Sequence, residues 1–385
     1  MQWPNVPLSD ILTPATEPVQ VQPEESYPIM GVYGFARGPI ARPAIKGAET
    51  SAKHLYRVRS GQFVYSKLKA FEGAFAIVSD EVDGYYSSNE FPSFAINEAR
   101  AIPGYLRWLF CRPETWADIA RDSTGIGARR ERLNPDQLLK YAVPLPPLGD
   151  QHRIVARLDR AAALVQSRRD AVAAAEADLQ SLLAKAFHCI AADAPRLPMR
   201  DVAPLVRRPV VIDLDARYPE LGVRSFGRGT FLKPELSGSD VGTKKLFRIE
   251  PGDLVFNIVF AWEGAVAIAR PSDAGRFGSH RFLTCVPQPG LVTDAFLNFF
   301  FQTTEGLEKL RAASPGGAGR NRTLGAQKLD AIAVPVPDSG AQDWFLRLLH
   351  RTSELRLIRA TSTANLDALL PALLNETFAE KSDVA

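Results

Sequence analysis

The pattern of apolar positions divides the chain into regions of short apolar runs and regions with a long helical stripe. Between Leu8 and about Pro147 the apolar runs span only three or four residues, as in Phe63-Val64-Tyr65, and are cut by glycine, proline and serine. Such runs predict strands joined by tight turns. Residues 103–110 and 294–301 are richer in aromatic side chains and predict helices that turn these side chains into the core. We therefore expect globular parts of the α+β class.

A long helix is predicted after the first globular part. From Asp150 to Ala194 the sequence is rich in alanine, arginine and leucine and contains neither glycine nor proline, with Asp150 as the expected N-cap. Apolar residues recur at alternating spacings of four and three, which is typical of a coiled-coil seam. Only Arg168 is polar among the predicted seam residues, which are Ile154, Leu158, Ala161, Val165, Arg168, Val172, Ala175, Leu179, Leu182 and Ala186. At 1.5 Å per residue, the 38 residues from 150 to 187 of this helix are roughly 55 Å long.

A second, less regular stripe spans residues 340–378. Five residues keep the seam register, namely Phe345, Leu349, Leu366, Leu370 and Leu373. Four polar residues interrupt it, namely Thr352, Arg356, Arg359 and Thr363. Because Leu355 and Ile358 form a neighbouring apolar line, the stripe is expected to move to another face of the helix midway. Pro371 is expected to bend the last turns.

The chain contains an internal duplication that explains why the pattern recurs. Residues 4–187 (the first copy) align without a gap with residues 195–378 (the second copy), and the shift from Leu55 to Leu246 is 191 positions. We therefore expect two homologous mixed α/β domains of the same fold, separated by two long antiparallel coiled-coil helices and related by an approximate two-fold axis. The predicted segments are residues 1–149 (domain 1), 150–192 (helix 1), 193–339 (domain 2) and 340–385 (helix 2 with a tail).

Composition narrows the class of protein. The chain has 385 residues, of which 46% are apolar and 23% charged, enough for two globular cores. No apolar run approaches the roughly 20 residues of a membrane span, and the first residues do not resemble a signal peptide, so a cytoplasmic protein without a membrane partner is expected. The three cysteines are far apart and no HExxH pattern occurs, so neither a disulfide framework nor a metal site is expected.

A formal charge of only +3 is too small to hold nucleic acid through the overall field, so local basic loops or a partner would have to supply the attraction. Residues 125–132 and their equivalents 316–323 are rich in glycine and arginine. Glycine allows close approach to a phosphate, while arginine and asparagine recognise guanine and adenine edges in a major groove. The main DNA-contact candidates are Arg129, Arg130, Arg132, Arg320, Asn321 and Arg322. The alternative for these segments is a solvated surface loop.

Further DNA-contact candidates are Lys67, Lys69, Asn89, His280, Arg281, Lys244 and Lys245, although solvated charges and turn caps are commoner roles for such residues. Phe71-Glu72-Gly73 and its copy Trp262-Glu263-Gly264 are expected to form a structural turn and not a catalytic carboxylate site. The sequence contains no GxxxxGK[ST] loop, no GxGxxG fingerprint and no Asp/Asn-Pro-Pro-aromatic motif. We therefore predict no catalytic residue in this chain.

Residues 139–151 read Leu-Lys-Tyr-Ala-Val-Pro-Leu-Pro-Pro-Leu-Gly-Asp-Gln and lead directly into the long helix. Together with the opening residues 6–11, the segment 61–66 and the Ser-Ser-Asn turn at 87–89, this run resembles the specificity subunit of type I restriction-modification systems. The second copy departs from the run at residues 333–342, where Gln342 still matches Gln151. The resemblance covers nearly the whole chain.

The resemblance implies a non-catalytic, double-stranded-DNA-binding subunit whose two target-recognition domains each read one half of a split sequence. Two methyltransferase subunits, and in the full restriction complex two ATP-driven translocase-nuclease subunits, would assemble on it. Adenine N6 methylation and ATP-dependent cleavage would then belong to those partners, as would S-adenosylmethionine, ATP and Mg²⁺, and this chain would hold no cofactor. Two alternatives remain open: a coiled-coil interaction scaffold without DNA sequence specificity, and a self-contained methyltransferase or nuclease.

Overall fold

The computed structural model of the protein describes residues 3–121, 132–316 and 322–378. The chain folds into two compact units, Met1–Ala171 with Ala360–Ala385, and Val172–Arg359. Each unit combines the globular part of one copy with a half of each long helix. Each unit therefore contains residues from both copies.

The first copy forms eleven short strands and four helices within the described residues. The strands are β1 (Asn5–Pro7), β2 (Leu12–Pro14), β3 (Glu17–Gln20), β4 (Ser26–Val32), β5 (Pro39–Lys46), β6 (His54–Arg57), β7 (Phe63–Tyr65), β8 (Phe75–Ile77), β9 (Tyr86–Ser87), β10 (Ser93–Ile96) and β11 (Ala142–Pro144). The helices are α1 (Pro103–Leu109), α2 (Pro113–Arg121), α3 (Pro135–Lys140) and the long α4 (Leu148–Ala191).

The second copy repeats this order with small differences in length. Its strands are β12 (Arg196–Pro198), β13 (Leu205–Val206), β14 (Arg217–Val223), β15 (Thr230–Ser237), β16 (Leu246–Arg248), β17 (Leu254–Asn257), β18 (Val266–Ile268), β19 (Phe277–Ser279), β20 (Phe282–Cys285) and β21 (Ala333–Pro335). Its helices are α5 (Met199–Val202), α6 (Gly238–Val241), α7 (Asp294–Phe300), α8 (Thr304–Ala313), α9 (Ala326–Asp330) and the long α10 (Ser339–Phe378).

The two copies share one sheet topology, which agrees with the mixed α/β class expected from the sequence. The first copy has a four-stranded sheet in the order β2-β10-β7-β8, and the second copy has the same sheet as β13-β20-β17-β18. A second sheet, β6-β9-β4-β5, corresponds to β16-β19-β14-β15. The first copy extends this sheet with β3, whereas at the equivalent place in the second copy a single bridge joins Pro209 to Phe247.

Aromatic side chains fill the two cores, as the sequence predicts for residues 103–110 and 294–301. In the first copy Tyr105 and Phe110 are buried with Phe63 and Phe94. In the second copy Phe296 and Phe300 are buried with Phe256. The helices α1 and α7 thus bury their aromatic face against the four-stranded sheet.

The long helices end inside these cores. Phe187 of α4 stacks on Phe296 with ring centroids 4.8 Å apart, and Phe345 of α10 lies 5.5 Å from the Phe187 ring. In the first unit Phe378, the equivalent of Phe187, lies 5.7 Å from Tyr105. Each globular part is therefore joined to helix ends through aromatic contacts that bury large apolar area.

A buried glutamine at the start of α4 joins this helix to the globular part of the first copy. Gln151 is fully buried, and its Oε1 accepts a hydrogen bond from the backbone N–H of Ile102 at 3.0 Å. Its Nε2 donates to the carbonyl oxygens of Arg100 and Pro146, each at 2.8 Å. The amide therefore fixes the direction in which the helix leaves the domain.

Gln342 repeats these bonds at the start of α10. Its Oε1 accepts from the N–H of Thr293 at 2.9 Å, and its Nε2 donates to the carbonyls of Leu291 and Pro337, each at 2.9 Å. All three partners are the positions equivalent to those of Gln151. In both copies, the glutamine that ends the Pro-rich run therefore joins the start of the long helix to the globular part through buried hydrogen bonds.

The start of α4 differs from the prediction. Asp150 is not the N-cap, because the helix begins at Leu148 and Asp150 lies in its first turn. The carbonyl of Pro147 already accepts from the N–H groups of Asp150 and Gln151, so helical bonding starts immediately after the prolines. Asp150 can still interact favourably with the helix N-terminus from this position.

The predicted seam of α4 is wrong at Leu182. Leu158, Val165, Leu179 and Ala186 are buried as expected, but Leu182 is half exposed, while its neighbour Leu183 is buried in the second core. From Leu183 onward the helix packs against a globular core and not only against another helix. A straight helix has a period of 3.6 residues, so its buried face drifts away from a strict 3.5-residue seam.

The seam of α10 does not move to another face. Thr352 is only 2% exposed, and Arg356, Arg359 and Thr363 are partly buried, so polar residues continue the register. Leu355 and Ile358, the expected alternative line, are exposed at 45% and 66%. The polar residues keep this register because they have partners: Arg356 pairs with Glu176 of α4 at 2.7 Å, and the Thr352 hydroxyl donates to the carbonyl of Leu349.

Further ion pairs join α4 and α10 within the first unit. Arg157 contacts Glu376 at 3.1 Å and Arg169 contacts Asp367 at 2.5 Å. From the first pair to the second, the residue number increases in α4 and decreases in α10, so the two helices run in opposite directions here. Pro371 lies inside α10, which continues to Phe378.

None of the described helices is long and apolar enough to cross a membrane. Within the described residues no group of three or more His, Cys, Asp or Glu side chains is arranged to hold a metal ion. Cys111 and Cys285 are shielded, and burial raises the pKa of the Cys111 thiol to about 11, whereas Cys189 on α4 is exposed.

Candidate nucleic-acid interface

Three chain segments of the first copy meet at the end of β7 and form what we call the first turn cluster: residues 66–69, 88–91 and 132–133. The backbone N–H of Lys67 donates to the carbonyl of Glu90 at 3.0 Å, and the N–H of Leu133 donates to the carbonyl of Lys67 at 2.9 Å. These two bonds bring together segments that are far apart in sequence.

Glu90 is the centre of the first turn cluster. Its carboxylate accepts from the Ser66 hydroxyl at 3.0 Å and from the backbone N–H of Leu68 at 2.6 Å. The guanidinium of Arg132 lies 3.4 Å from the other carboxylate oxygen. A partly buried carboxylate with these partners fixes the turn and holds the candidate Arg132 beside it.

Two more candidates, Lys67 and Asn89, are joined directly. The Lys67 ammonium donates to the side-chain oxygen of Asn89 at 2.9 Å. Partial burial lowers the pKa of Lys67; the nearby Glu90 carboxylate opposes this effect, and Arg132 adds to it. Lys67, Asn89 and Arg132 therefore form one polar surface around Glu90.

The second copy has the same backbone frame at the end of β17, the second turn cluster: residues 257–260, 279–282 and 322–324. The N–H of Ile258 donates to the carbonyl of Arg281 at 2.9 Å, and the N–H of Leu324 donates to the carbonyl of Ile258 at 2.9 Å. These bonds are equivalent to those of Lys67 and Leu133. The side chains differ, because Ile258 stands in place of Lys67 and Arg281 in place of Glu90.

A cleft of about 400 Å³ opens beside the second turn cluster. It lies between the β14–β15 hairpin, which contributes Ser225 and Lys233, and the turns that carry Asn257 and Arg281. Arg281 is exposed, and the Lys233 ammonium lies 5.2 Å from the Phe282 ring centroid. The cleft thus has two cations and several apolar side chains, a combination suited to phosphate and base edges together.

Arg322 is attached to the second turn cluster through an aromatic ring. Its guanidinium lies 5.3 Å from the centroid of Trp262, within the range of a cation–π interaction. The Trp262 indole N–H donates to the carbonyl of Val259 at 3.0 Å, which fixes the ring on the turn.

The sequence-predicted candidates fall into three groups. Arg129, Arg130, Arg320 and Asn321 lie outside the described residues. Seven are brought to the turn clusters or next to them: Lys67, Lys69, Asn89, Arg132, His280, Arg281 and Arg322. Lys69 forms an exposed ion pair with Glu72 at 3.4 Å. Lys244 and Lys245 are exposed before β16, an edge strand of the other sheet, and are not among the residues of the second turn cluster.

The Phe71-Glu72-Gly73 segment and its copy form the predicted structural turns. Ala70–Glu72 and Ala261–Glu263 are single 3₁₀ turns closed by Gly73 at φ 73° and Gly264 at φ 76°. A Cβ at Gly73 would lie 2.4 Å from the Trp116 ring, so this position requires glycine. These turns support the tips of the β4–β5 and β14–β15 hairpins, which border the turn clusters.

Sequence reasoning missed the exposed phenylalanines at the hairpin tips. Phe35 and Phe226 are exposed at 64% and 70%, and both adopt positive φ, 58° and 61°. The signal was present in the sequence, because Gly34-Phe35-Ala36-Arg37-Gly38 and Ser225-Phe226-Gly227-Arg228-Gly229 keep Phe, Arg and Gly at equivalent positions between two strands. A phenylalanine in a glycine-rich turn is otherwise easily assigned to the core.

Comparison with curated proteins gives a relative that matches part of the chain. The chain is 32% identical over 143 residues to the Escherichia coli protein "Type I restriction enzyme EcoDI specificity subunit". This match covers 36% of the chain and 30% of the relative, so the chain spans about a third of the length of the curated relative it matches. No protein-family model matches the chain.

Two solved structures share the fold over nearly the whole chain. The HsdS subunit from Thermoanaerobacter tengcongensis has a TM-score of 0.56 at 18% identity and covers 98% of this chain and 96% of its own. A chain from work on complex assembly and conformational transition of the type I R-M system has a TM-score of 0.67 at 16% identity and covers 98% and 97%. The predicted resemblance is confirmed: in part of its sequence and in nearly all of its fold, this chain is similar to the specificity subunits of type I restriction enzymes.

Proposed function

We propose that this chain is the DNA-recognition subunit of a type I restriction-modification complex and reads a bipartite target, one half-site with each copy. The observation that carries the proposal is the repeated backbone frame of the two turn clusters. Equivalent N–H···O bonds hold equivalent segments, while the side chains on the frame differ in charge and shape. A shared frame with different side chains is what two readers of two different half-sites require.

The side chains of the clusters have suitable chemistry for DNA. Arg132 and Lys67 in the first copy, and Arg281 and Arg322 in the second, are donors for phosphate oxygens and guanine edges. Asn89 is a donor and acceptor for adenine. The described residues of the clusters do not include Arg129, Arg130, Arg320 or Asn321, which remain candidates for additional contacts.

The low formal charge of +3 supports a partnership and not an isolated DNA-binding protein. Phosphate contacts supply much of the affinity for DNA, so further cations have to come from other chains. We propose two methyltransferase subunits and, in the restriction complex, translocase-nuclease subunits as these partners. S-adenosylmethionine, ATP and Mg²⁺ would be bound by the partners, and this chain would be non-catalytic.

We propose that α4 and α10 form an antiparallel coiled coil that sets the number of unread base pairs between the half-sites. The order of the ion pairs, 157 with 376 and 169 with 367, supports an antiparallel arrangement. Half-sites read from one side of the duplex are spaced by about one helical turn, roughly 34 Å. Turns added to both helices would therefore change the spacer and leave the half-sites unchanged.

The function is tested by co-expressing the chain with its methyltransferase partner and mapping methylated adenines by single-molecule sequencing. We expect a split, asymmetric motif. Replacing residues 125–132 with residues 316–323 should alter one half of the motif and leave the other half intact. A motif that is unchanged after this replacement would refute the assignment of that loop, and methylation without any sequence preference would refute the function.

A docking scaffold without sequence specificity is the second candidate, and the exposed Leu355 and Ile358 of α10 favour it. Mobility-shift assays on target and scrambled duplexes, with and without the methyltransferase partner, separate the two. The scaffold predicts equal affinity for both duplexes in either case. The recognition subunit predicts a preference for the target when the partner is present.

A further inference from the structure

The tips of the two equivalent hairpins carry an exposed phenylalanine in a strained backbone conformation. Phe35 lies at the tip of the β4–β5 hairpin with φ 58°, and Phe226 at the tip of the β14–β15 hairpin with φ 61°. The left-handed region is costly for a bulky side chain, and glycine or asparagine would occupy it more easily. A bulky residue in both tips therefore needs an explanation other than the turn itself.

The structure over-determines these conformations. The N–H of Phe35 donates to the carbonyl of Glu72 at 2.6 Å, and the N–H of Phe226 donates to the carbonyl of Glu263 at 2.9 Å. The backbone N–H of the next residue also donates: that of Ala36 to the carbonyl of Gly73, and that of Gly227 to the carbonyl of Gly264. Each tip is thus fixed on a 3₁₀ turn by two backbone bonds. Strain that is held in this way in duplicate is a common mark of a functional position.

The phenylalanine rings contribute little to either core. Phe35 is 64% exposed and Phe226 70%, so each ring displays most of its apolar area. Phe35 meets Trp116 only at a centroid distance of 6.4 Å, with the rings edge to face. Exposing a large ring costs free energy in addition to the strain, and core packing does not repay it.

An arginine follows each phenylalanine by two positions. In the second tip the guanidinium of Arg228 lies 5.7 Å from the Phe226 ring, whereas in the first tip that of Arg37 lies 4.8 Å from the ring of Tyr33. A cation beside a projecting apolar ring suits a surface that is both anionic and stacked, as DNA is. A purely apolar partner would gain nothing from these arginines.

The hairpins border the turn clusters. Glu72, which accepts from Phe35, forms the ion pair with Lys69 of the first turn cluster. In the second copy the cleft lined by Arg281 is also lined by Ser225, the residue before Phe226, and by Lys233 of the same hairpin. A duplex that contacts a turn cluster therefore comes within reach of the hairpin tip.

We propose that Phe35 and Phe226 are apolar wedges that contact and partly unstack one base step in each half-site of duplex DNA, with Arg37 and Arg228 on the adjacent phosphates. This inference rests on the proposed function and adds a mode of recognition to it. Pyrimidine–purine steps unstack most easily, so the wedges favour such a step without forming hydrogen bonds to its bases. The preorganised tip avoids an entropy loss on binding.

Glycine substitution separates the wedge from a structural role. Phe35→Gly and Phe226→Gly relieve the strained conformation and remove exposed apolar area, so the unfolding midpoint should be unchanged or higher. The same variants should bind the target duplex about tenfold more weakly, as expected when an aromatic contact with a base is lost. Phe35→Tyr and Phe226→Tyr keep a ring and should retain affinity within about threefold.

The wedge is observed directly with 2-aminopurine placed at successive positions of the mapped target, using the full chain assembled with its methyltransferase partner. We expect enhanced fluorescence at one step in each half-site. Phe35→Gly should remove the enhancement in one half only, and Phe226→Gly in the other. Enhancement that persists in both glycine variants, or is absent from the wild-type complex on a target that it binds specifically, overturns the wedge.

These outcomes are distinct from failure of the proposed function. If the wild-type complex prefers no sequence, recognition itself fails and the wedge fails with it. If the target is bound specifically but the glycine variants lose the methyltransferase partner in pull-down assays while their DNA affinity is unchanged, the tips dock protein and the wedge is wrong.

Discussion

The two turn clusters have equivalent backbone hydrogen bonds, but their side chains differ in charge and polarity. In the first, Glu90 accepts from Ser66 and Leu68 and draws in Arg132, so the surface around Lys67 is a network of paired charges. In the second, Arg281 occupies the position of Glu90 and lines an open cleft with Lys233. The backbone bonds are conserved between the copies although none of these side chains is. Under the proposed function, the shared fold would fix where recognition occurs, and a few turn residues would determine what is recognised.

The buried glutamines give the largest expected effect and test whether the copies share a frame. Gln151→Leu leaves the N–H of Ile102 and the carbonyls of Arg100 and Pro146 without the partner, and Gln342→Leu does the same in the second copy. Each should lower the free energy of unfolding by about 3 kcal/mol. Chemical denaturation followed by tryptophan fluorescence measures this effect.

Gln166→Leu, at an exposed position of α4, is the matched control and should change stability by less than about 0.5 kcal/mol. A large loss for one buried glutamine and none for the other would break the equivalence of the two frames.

Arg281→Ala tests whether the second turn cluster reads bases. The change should lower affinity for the second half-site by about 1–3 kcal/mol and relax its sequence preference, while the first half-site is unaffected. Competition binding with duplexes mutated in one half at a time measures both effects. Gln166→Ala is the control, since Gln166 is exposed on α4 and belongs to neither turn cluster. A uniform loss across all sequences would mean that Arg281 contacts only phosphate.

Lys67→Ala tests a positive charge that the second copy lacks at the equivalent position, where it has Ile258. If Lys67 contacts a phosphate, the change should reduce the slope of log affinity against log salt by about 0.9, equally for all sequences. Ile258→Ala, at the equivalent position, should leave the slope unchanged. Burial lowers the pKa of Lys67 from its ordinary value, so its charge is lost at lower pH than that of an ordinary lysine. In the wild type the slope should therefore begin to fall at a lower pH than it would for an ordinary lysine, and Lys67→Ala should remove this pH dependence.

The ion pair between Glu176 of α4 and Arg356 of α10 gives the smallest expected effect on stability. Hydrogen bonding to Arg356 lowers the pKa of Glu176 below its ordinary value of 4.5. A carboxyl whose pKa is depressed on folding stabilises the protein above that ordinary value, and the contribution is lost as the pH falls through the folded pKa. Because both side chains are more than a third exposed, Glu176→Gln should cost only about 0.5 kcal/mol at pH 7. Stability that is equally pH-dependent in the variant between pH 5 and 3 would contradict this role.

The duplication made much of the fold predictable, whereas the site depended on contacts that a linear pattern does not contain. The constant shift and the aromatic runs at 103–110 and 294–301 correctly indicated a doubled α+β fold. The sequence shows Lys67, Asn89 and Arg132 only as separate polar residues, because their association depends on contacts across 22 and 42 positions. Gln151 matched Gln342 in sequence, but its role became clear only from its buried hydrogen bonds.

The errors in the helices have local causes. Apolar Leu182, Leu355 and Ile358 were expected in the seam or in a line replacing it, yet they are exposed. Polar Thr352 and Arg356 stay in the buried register because a backbone carbonyl and Glu176 satisfy them. Hydrophobic spacing identifies a helix well, but it does not reveal which polar side chains have partners.

We propose that the two copies share one backbone frame and that the turn residues on it carry the specificity. The most direct test exchanges Asn89-Glu90 with His280-Arg281 reciprocally in the full chain, co-expressed with its methyltransferase partner, and maps methylated adenines by single-molecule sequencing. We predict that both half-sites change in the double exchange, and that each single exchange alters one half-site and leaves the spacer and the other half-site intact. An unchanged motif in a folded, partner-bound protein would contradict the account.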